Sequence, residues 1–255
     1  MQAYPSNEER TAEYLAKFSR EKTLQFLIPF PKPVVFDVGA NVGGTIREFK
    51  GFWPEAKIHA FEPQEECWSD LEAAKNAFPE GDIVINPSAA GNAASEGALF
   101  FTHDISKGIS GFHKINLRSL DSVRLKEIEE ESADRLPEYE KALNHERVVP
   151  VLRLDDYLAH HDIARINLLK IDTQGYEPEV LEGFGARLRD VDVVLTELMF
   201  YDYYERSLSF SDIERFLIPA GLRLYDISHI AKNPMNGRTD WVDVIYVNKR
   251  LRGAK

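Results

Sequence analysis

The chain has 255 residues, 44% hydrophobic and 29% charged; that length suits one large domain or one domain with additions, and the composition argues against disorder or a fibrous repeat. Its formal net charge of −11 opposes general attraction to nucleic-acid phosphates or anionic lipid. No apolar run approaches the roughly 20 residues that span a bilayer, and the charged opening "MQAYPSNEERTAEYLAKFSREK" lacks the apolar centre of a signal peptide, so neither nucleic acid nor a membrane is expected as a partner and a cytoplasmic location is the default.

Residues 1–33 read as an N-terminal helical extension, in which Tyr14, Leu15, Phe18, Leu24, Phe26, Leu27 and Ile28 recur among charges until "PFPKP" ends the pattern. From Val34 the reading alternates: strand at 34–38, helix from about Gly43 to Phe49, strand at 57–61, helix at 64–78, strand at 82–86. Such alternation means βαβ units and a parallel sheet. In the helix at 64–78, Cys67, Leu71, Ala74 and Phe78 recur every three or four places and should pack on that sheet. Cys67 is the one cysteine, which excludes an internal disulfide and leaves too few thiols for a zinc or iron–sulfur site.

The alternation pauses at about 103–147, where a charged, helical insert lies between the strand-like "ALFFT" and "RVVPVLRL". Its glycines Gly108 and Gly111, before and within "ISGFHK", read as hinges of a loop expected to close over a site at the sheet's edge. The pattern then returns with strand "INLLKID", helix "YEPEVLEGF", strand "VDVVLTEL" and helix "SDIERFLIPAG", the last with Ser211 and Glu214 spaced as a capping box and Gly221 as its stop. Two adjacent β-rich segments close the chain and predict an antiparallel hairpin on the sheet's edge. Residues 34–255 therefore read as one α/β domain, a mostly parallel twisted sheet with helices on both faces.

In an open parallel sheet, ligands collect at the carboxyl ends of strands. The first strand runs into Gly39-Ala40-Asn41-Val42-Gly43-Gly44. A dinucleotide would need a glycine where Asn41 stands, and Asp37 would repel a pyrophosphate. A cationic ligand reverses that sign. S-adenosylmethionine, with its sulfonium and ammonium and no phosphate, suits Asp37 and the glycine turn, and a side chain at Gly39 is expected to exclude it. The second strand, "IHAFEP", ends in Glu62, 18 residues beyond Gly44, near the spacing at which an acid takes ribose hydroxyls. Pro63 fits the first turn of the next helix.

With "VVFDVGANVGG", "IHAFEP", "VVPVLRLDDYL" and above all "LLKIDTQGYEPEVLEGF" in place, the chain resembles the FkbM methyltransferases over roughly residues 34–200. The resemblance implies a Rossmann-like class I methyltransferase fold and transfer of a methyl group from S-adenosylmethionine to a hydroxyl of a sugar, glycan or natural-product small molecule. It implies cofactor contacts at Asp37, Gly39, Ala40, Asn41, Glu62, Pro63 and Asp172, and at Ser88 and Ala89 of "NPSAAGN". Where members often carry glutamate after the "KID" segment, this chain carries Gln174.

Methylating an alcohol needs a place for its proton. Asp172, ending "LLKID", is the first candidate base, or else a holder of the cofactor's ammonium. Glu197, in "LTELMF", reaches the same sheet edge; His113 and His229 are read as loop residues able to reach the pocket. Tyr201, Tyr203 and Tyr204 read as packing of the covering segment. Asp155 and Asp156 could join Asp172 and Glu197 around a divalent metal, which the sequence does not require. A nucleotide-dependent oxidoreductase and a non-catalytic cofactor-binding module are the alternatives, and a homo-oligomer stays open.

Overall fold

In the computed structural model, which describes residues 5–119 and 136–252, the alternating pattern folds as a seven-stranded sheet. Its parallel strands are β1 (Val34–Val38), β2 (Lys57–Phe61), β3 (Ile83–Asn86), β7 (Ile166–Ile171) and β8 (Val191–Met199). β9 (Leu222–Lys232) and β10 (Thr239–Asn248) form the closing hairpin, and the order across the sheet is β3-β2-β1-β7-β8-β10-β9. β10 pairs antiparallel with both β8 and β9, so the hairpin sits at the edge as expected. The chain steps outward from β1 to β3 and returns to the other side of β1 as β7. Strand order therefore reverses between β1 and β7, which is where such sheets open a ligand crevice.

Period-two alternation divides the apolar residues between two cores. Phe36, Leu169, Val194 and Val244 face one layer, which the helices Leu154–His160, Glu177–Glu182 and Phe210–Leu217 cover. Val35, Leu168, Val193 and Ile245 face the other, under the helices Gly44–Phe52 and Glu65–Asn76. Cys67, Leu71 and Ala74 are buried on the sheet-facing side of the latter helix, with Phe78 packed just beyond its end. The N-terminal segment forms two capped helices, Asn7–Lys17 and Arg20–Leu27; the first buries no residue, and the second places Leu24 in the core.

Two features differ from the sequence reading, and a third lies partly outside the described residues. "ALFFT" and "RVVPVLRL" belong to β5 (Ser95–Thr102) and β6 (His145–Leu152), which with β4 (Ala89–Ala90) make a separate three-stranded sheet in the order β4-β6-β5. Of the expected helical insert, Leu136–Lys141 is helical, while residues 120–135 lie outside the described residues. The cap of the helix Phe210–Leu217 is Ser209 with Asp212, not Ser211 with Glu214; Glu214 instead accepts a 3.0 Å hydrogen bond from the Tyr246 hydroxyl. Gly221 does close that segment, at φ 92°. No described helix is long and apolar enough to cross a membrane.

Two buried histidines give the fold a pH signature. His59, 1% exposed, has Nδ1 2.7 Å from the Tyr157 hydroxyl, and His103, 5% exposed, accepts the Asn144 N–H at 3.0 Å. Burial, reinforced by neighbouring Lys57 and His145 respectively, pushes both imidazoles down to about 4. An unfolded imidazole titrates near 6.5. Between those values the unfolded chain binds more protons, so these groups subtract stability as pH falls through that window. The stability advantage of wild type over His59→Gln should therefore shrink between pH 7 and pH 4.5, measured by urea unfolding; an advantage that stays constant would mean that His59 is not held neutral.

Candidate functional site

The turn after β1 is set by close approach. Gly39 lies at φ 80°, and a Cβ there would sit 1.9 Å from the Asp172 carbonyl oxygen, so β1 and β7 can end side by side only if residue 39 is glycine. The space beside its Cα is taken by the backbone just past β7. Asn41 follows at φ 47° and Gly43 at φ 77°, a turn closed by the Gly43 N–H on the Ala40 carbonyl at 2.9 Å. The Asn41 N–H donates to Glu62 Oε2 at 2.8 Å, and the Gln64 N–H to Glu62 Oε1 at 2.9 Å. Both oxygens of a side chain only 3% exposed are therefore oriented by main chain. Burial holds the Glu62 pKa above the usual carboxylate range against the pull of these donors.

A cavity opens at this point. Gly39, Asn41, Glu62, Pro63, Ala89 and Asp172, six of the residues singled out as cofactor contacts, line it. The covering segment supplies a second wall through Lys107, Gly108, Ser110 and Phe112, with Phe100 of β5. Phe112 stacks on Tyr176 with ring centroids 4.2 Å apart and meets Phe100 edge-on at 5.1 Å. Lys107 Nζ donates to the Glu66 carbonyl at 2.6 Å, and Gln64 Nε2 to the Lys107 carbonyl at 3.1 Å. These bonds pin the segment over the same cavity that Glu62 lines.

Three expected cofactor residues are elsewhere. Asp37 is fully buried, with Lys170 Nζ 3.1 Å from its Oδ1, and it does not line the cavity. The register of β1 and β7 sets Asp37 beside Lys170, and the lysine takes the carboxylate that the sequence assigned to the ligand. Ala40 points into the core among Ile46 and Phe49, its N–H spent on the Phe61 carbonyl at 3.1 Å. Ser88 turns back on its own strand, its N–H donating to the Asn86 carbonyl at 2.8 Å, outside the cavity wall.

A second cavity adjoins the first through Asp172, which lines both. Lys170, Thr196, Glu197 and Asp243 surround it, with Arg20 arriving from the N-terminal segment and Thr45 from the start of the helix after β1. Lys170 Nζ donates to the Gly39 carbonyl at 2.8 Å and lies 3.6 Å from Asp172 Oδ2. Burial lowers the pKa of Lys170, but the attraction of Asp37, then Asp172, outweighs it and leaves the ammonium favoured. Glu197 is pushed up to about 8, by burial first and then by repulsion from Asp172 and Asp243. Burial likewise raises Asp243 against the pull of Arg20. Near neutral pH, Glu197 is therefore more fitted to donate a hydrogen bond than to take a proton.

The histidines do not reach either cavity. His113 packs against Tyr176, with ring centroids 6.1 Å apart, and lies 3.4 Å from Arg206 Nη1; burial and then Arg206 push its pKa down. His229 is on the edge strand β9, opposite Asp243 in register and exposed, rather than in a loop. Asp155 is engaged by Arg153, whose Nε donates at 3.0 Å, at the start of the helix Leu154–His160. Among the described residues, no group of three or more histidine, cysteine or carboxylate side chains is placed to hold a metal.

The sequence reading did not anticipate the contacts of Lys170 with Asp37 or of Gln174 with Asp172 and Tyr204, although Tyr204 does pack against the covering segment as expected. Lysine inside an otherwise apolar central strand was a usable signal, since a buried cation demands a buried partner. Gln174 and Tyr204 left no comparable trace, because their contact joins segments 30 residues apart.

The chain matches the family described as "Methyltransferase FkbM domain" over residues 37–225. It is 27% identical to "Methyltransferase 1" of Beauveria bassiana (strain ARSEF 2860) over 67% of this chain and 66% of that protein. It is 30% identical to "31-O-demethyl-FK506 methyltransferase FkbM" of Streptomyces tacrolimicus over 66% of this chain and 70% of that one. With "2-O-methyltransferase NoeI" of Sinorhizobium fredii (strain NBRC 101917 / NGR234) the identity is 25%, over 71% and 70%. The chain thus spans about two thirds of the length of these curated relatives.

Proposed function

The chain belongs to the FkbM methyltransferase family, and from that premise we propose that it transfers the methyl group of S-adenosylmethionine to a hydroxyl of a small molecule, sugar or glycan. The observation that carries the cofactor assignment is Glu62, whose two oxygens are oriented by backbone donors at the wall of the cavity that Gly39 and Asp172 also line. A carboxylate so held keeps lone pairs for a vicinal diol, and charge-assisted bonds of that kind are strong. The aromatic rings of Phe100 and Phe112 and the small side chains of Ala89 and Ala90 give the same cavity a flat apolar surface suited to a purine. Two relatives carry names that specify O-methyl transfer, which supports a hydroxyl as the acceptor.

When bound, the cofactor supplies an electrophilic methyl carbon. The chain's own work is to align the acceptor oxygen, exclude water and take a proton. Asp172 stands where the two cavities meet and is positioned to take that proton. Lys170 and Glu197 supply donors on the far side, and the segment carrying Phe112 closes the near side.

Glu62→Ala should weaken S-adenosylhomocysteine by about 10- to 100-fold, the range for losing hydrogen bonds to a charged group. Glu62→Gln should lose nearly as much, because its amide nitrogen would face a backbone N–H that now has an acceptor. Calorimetry with both variants tests the assignment, with NAD as the competing ligand. Undiminished S-adenosylhomocysteine affinity in folded variants, or tighter binding of NAD, would overturn it. Release of S-adenosylhomocysteine in the presence of polyhydroxylated acceptors tests the transfer itself.

A further inference from the structure

Gln174 follows β7 at φ 55° and Gly175 at φ 97°, a reversal that brings the glutamine side chain back to the strand end it has just left. Its Nε2 lies 2.7 Å from Asp172 Oδ1, and its Oε1 lies 2.7 Å from the Tyr204 hydroxyl. The two ends of an amide are nearly identical in shape, so their partners decide which way it faces. A carboxylate only accepts, whereas a phenol can donate. Nitrogen toward Asp172 and oxygen toward Tyr204 is the orientation that makes both contacts hydrogen bonds.

Tyr204 is itself fixed, 2% exposed and packed with Ile115 and Leu143. Its one hydroxyl proton is shared between Gln174 Oε1 and the carbonyl oxygen of Ile109, 2.9 Å away in the segment that covers the cavity. One oxygen of Asp172 thus faces Gln174, while the other faces Lys170 at 3.6 Å.

We propose that Gln174 is a positioning residue for Asp172: its amide, oriented by Tyr204, holds the carboxylate at the junction of the two cavities and links its placement to the covering segment through Ile109. The functional meaning rests on Asp172 being the proton acceptor, as argued above. A glutamate at 174 could not serve in the same way, since two carboxylates 2.7 Å apart repel and neither donates. The amide is therefore not a neutral stand-in for an acid. It is a donor that can hold a carboxylate oxygen in place without competing for the proton.

The test reads where the Asp172 carboxylate sits, in crystal structures of the full chain obtained at one pH for wild type, Gln174→Met, Gln174→Glu and Tyr204→Phe. With the donor lost, the carboxylate in Gln174→Met should leave its wild-type rotamer and close on Lys170 Nζ, 3.6 Å from Oδ2 in wild type, and like-charge repulsion in Gln174→Glu should push it further from residue 174. Tyr204→Phe, which keeps the ring in its packing, should leave the amide free to turn and give a smaller displacement. A carboxylate in its wild-type position in both Gln174→Met and Gln174→Glu would overturn the proposal. The structures need no ligand, so calorimetry of S-adenosylhomocysteine on wild type, run alongside, separates the two readings: absent binding sinks the cofactor assignment, whereas binding with an unmoved carboxylate sinks only the role of Gln174.

Discussion

Asp172→Asn is expected to lower methyl transfer by about 10²- to 10⁴-fold, the usual contribution of a positioned general base, while S-adenosylhomocysteine affinity changes by no more than a few-fold. Asparagine keeps the shape of the side chain and an oxygen that can still accept from Gln174 Nε2, now 2.7 Å away. It removes the capacity to take a proton. Single-turnover release of S-adenosylhomocysteine, set beside calorimetric affinity, separates two roles. A drop in turnover alone means that Asp172 moves the proton. Turnover and affinity falling together would place Asp172 on the cofactor's ammonium instead, and wild-type behaviour in both would remove it from the mechanism. Glu197 is the internal comparison. With its carboxyl held up to about 8, Glu197→Gln should be the milder change near neutral pH, since an amide replaces a group already fitted to donate.

Much of the fold was legible because the signals were local. A run such as "VVFDV" or "INLLKI" reads as a strand buried on both faces, and the glycines that follow mark its end. The parallel order follows from helices lying between strands, and the edge hairpin from two β-rich segments with no helix between them. The separate sheet of β4, β5 and β6 was not legible as such, because Ala89–Ala90 is too short to show a period and pairs with Val151 and Leu152 far along the chain. The cap at Ser209 was missed for a related reason: two serines, Ser209 and Ser211, each stand three residues before an acid, and spacing alone cannot choose between them.

The site divides in the same way. Glu62, Asn41, Pro63 and Asp172 lie at strand ends or in the turns beside them, so finding the strands found them. Asp37 was assigned to the ligand on charge alone. Its actual neighbour is fixed by the register of β1 and β7, which places it beside Lys170 and which no single strand encodes. His229 was taken for a loop residue because "HIAKNPMNGRT" carries turn residues, yet the strand runs on to Lys232 before turning. In each case the error came from reading a side chain's chemistry without knowing which backbone lay next to it.

Lys170→Met should cost about 3 to 5 kcal/mol at pH 8, the range for breaking a buried ion pair from one side. Asp37 is wholly enclosed, and the ammonium 3.1 Å from Oδ1 is the compensation it has among the described residues. The two partners are not symmetric. Burial already raises the Asp37 pKa despite Lys170, whereas the lysine, which also faces Asp172 and Glu62, stays favoured as a cation. Methionine keeps most of the volume and removes the charge, leaving Asp37 to ionise at a cost or to stay protonated. A carboxyl whose folded pKa is raised contributes stability below its unfolded value near 3.9 and loses it as pH rises through the folded value. The deficit of Lys170→Met relative to wild type should therefore be larger at pH 8 than at pH 5. Adding Asp37→Asn should recover much of it at pH 8, since a neutral amide can be buried beside methionine at lower cost. Urea unfolding of the four proteins in the cycle gives the coupling directly. A cost under about 1 kcal/mol for Lys170→Met, or a double variant no more stable than the single one, would show that the pair does not anchor the two strands. Because Lys170 Nζ also donates to the Gly39 carbonyl at 2.8 Å, its loss should loosen the very turn that aims Asn41 at Glu62, so cofactor affinity should fall with stability in Lys170→Met and return only in part in the double variant.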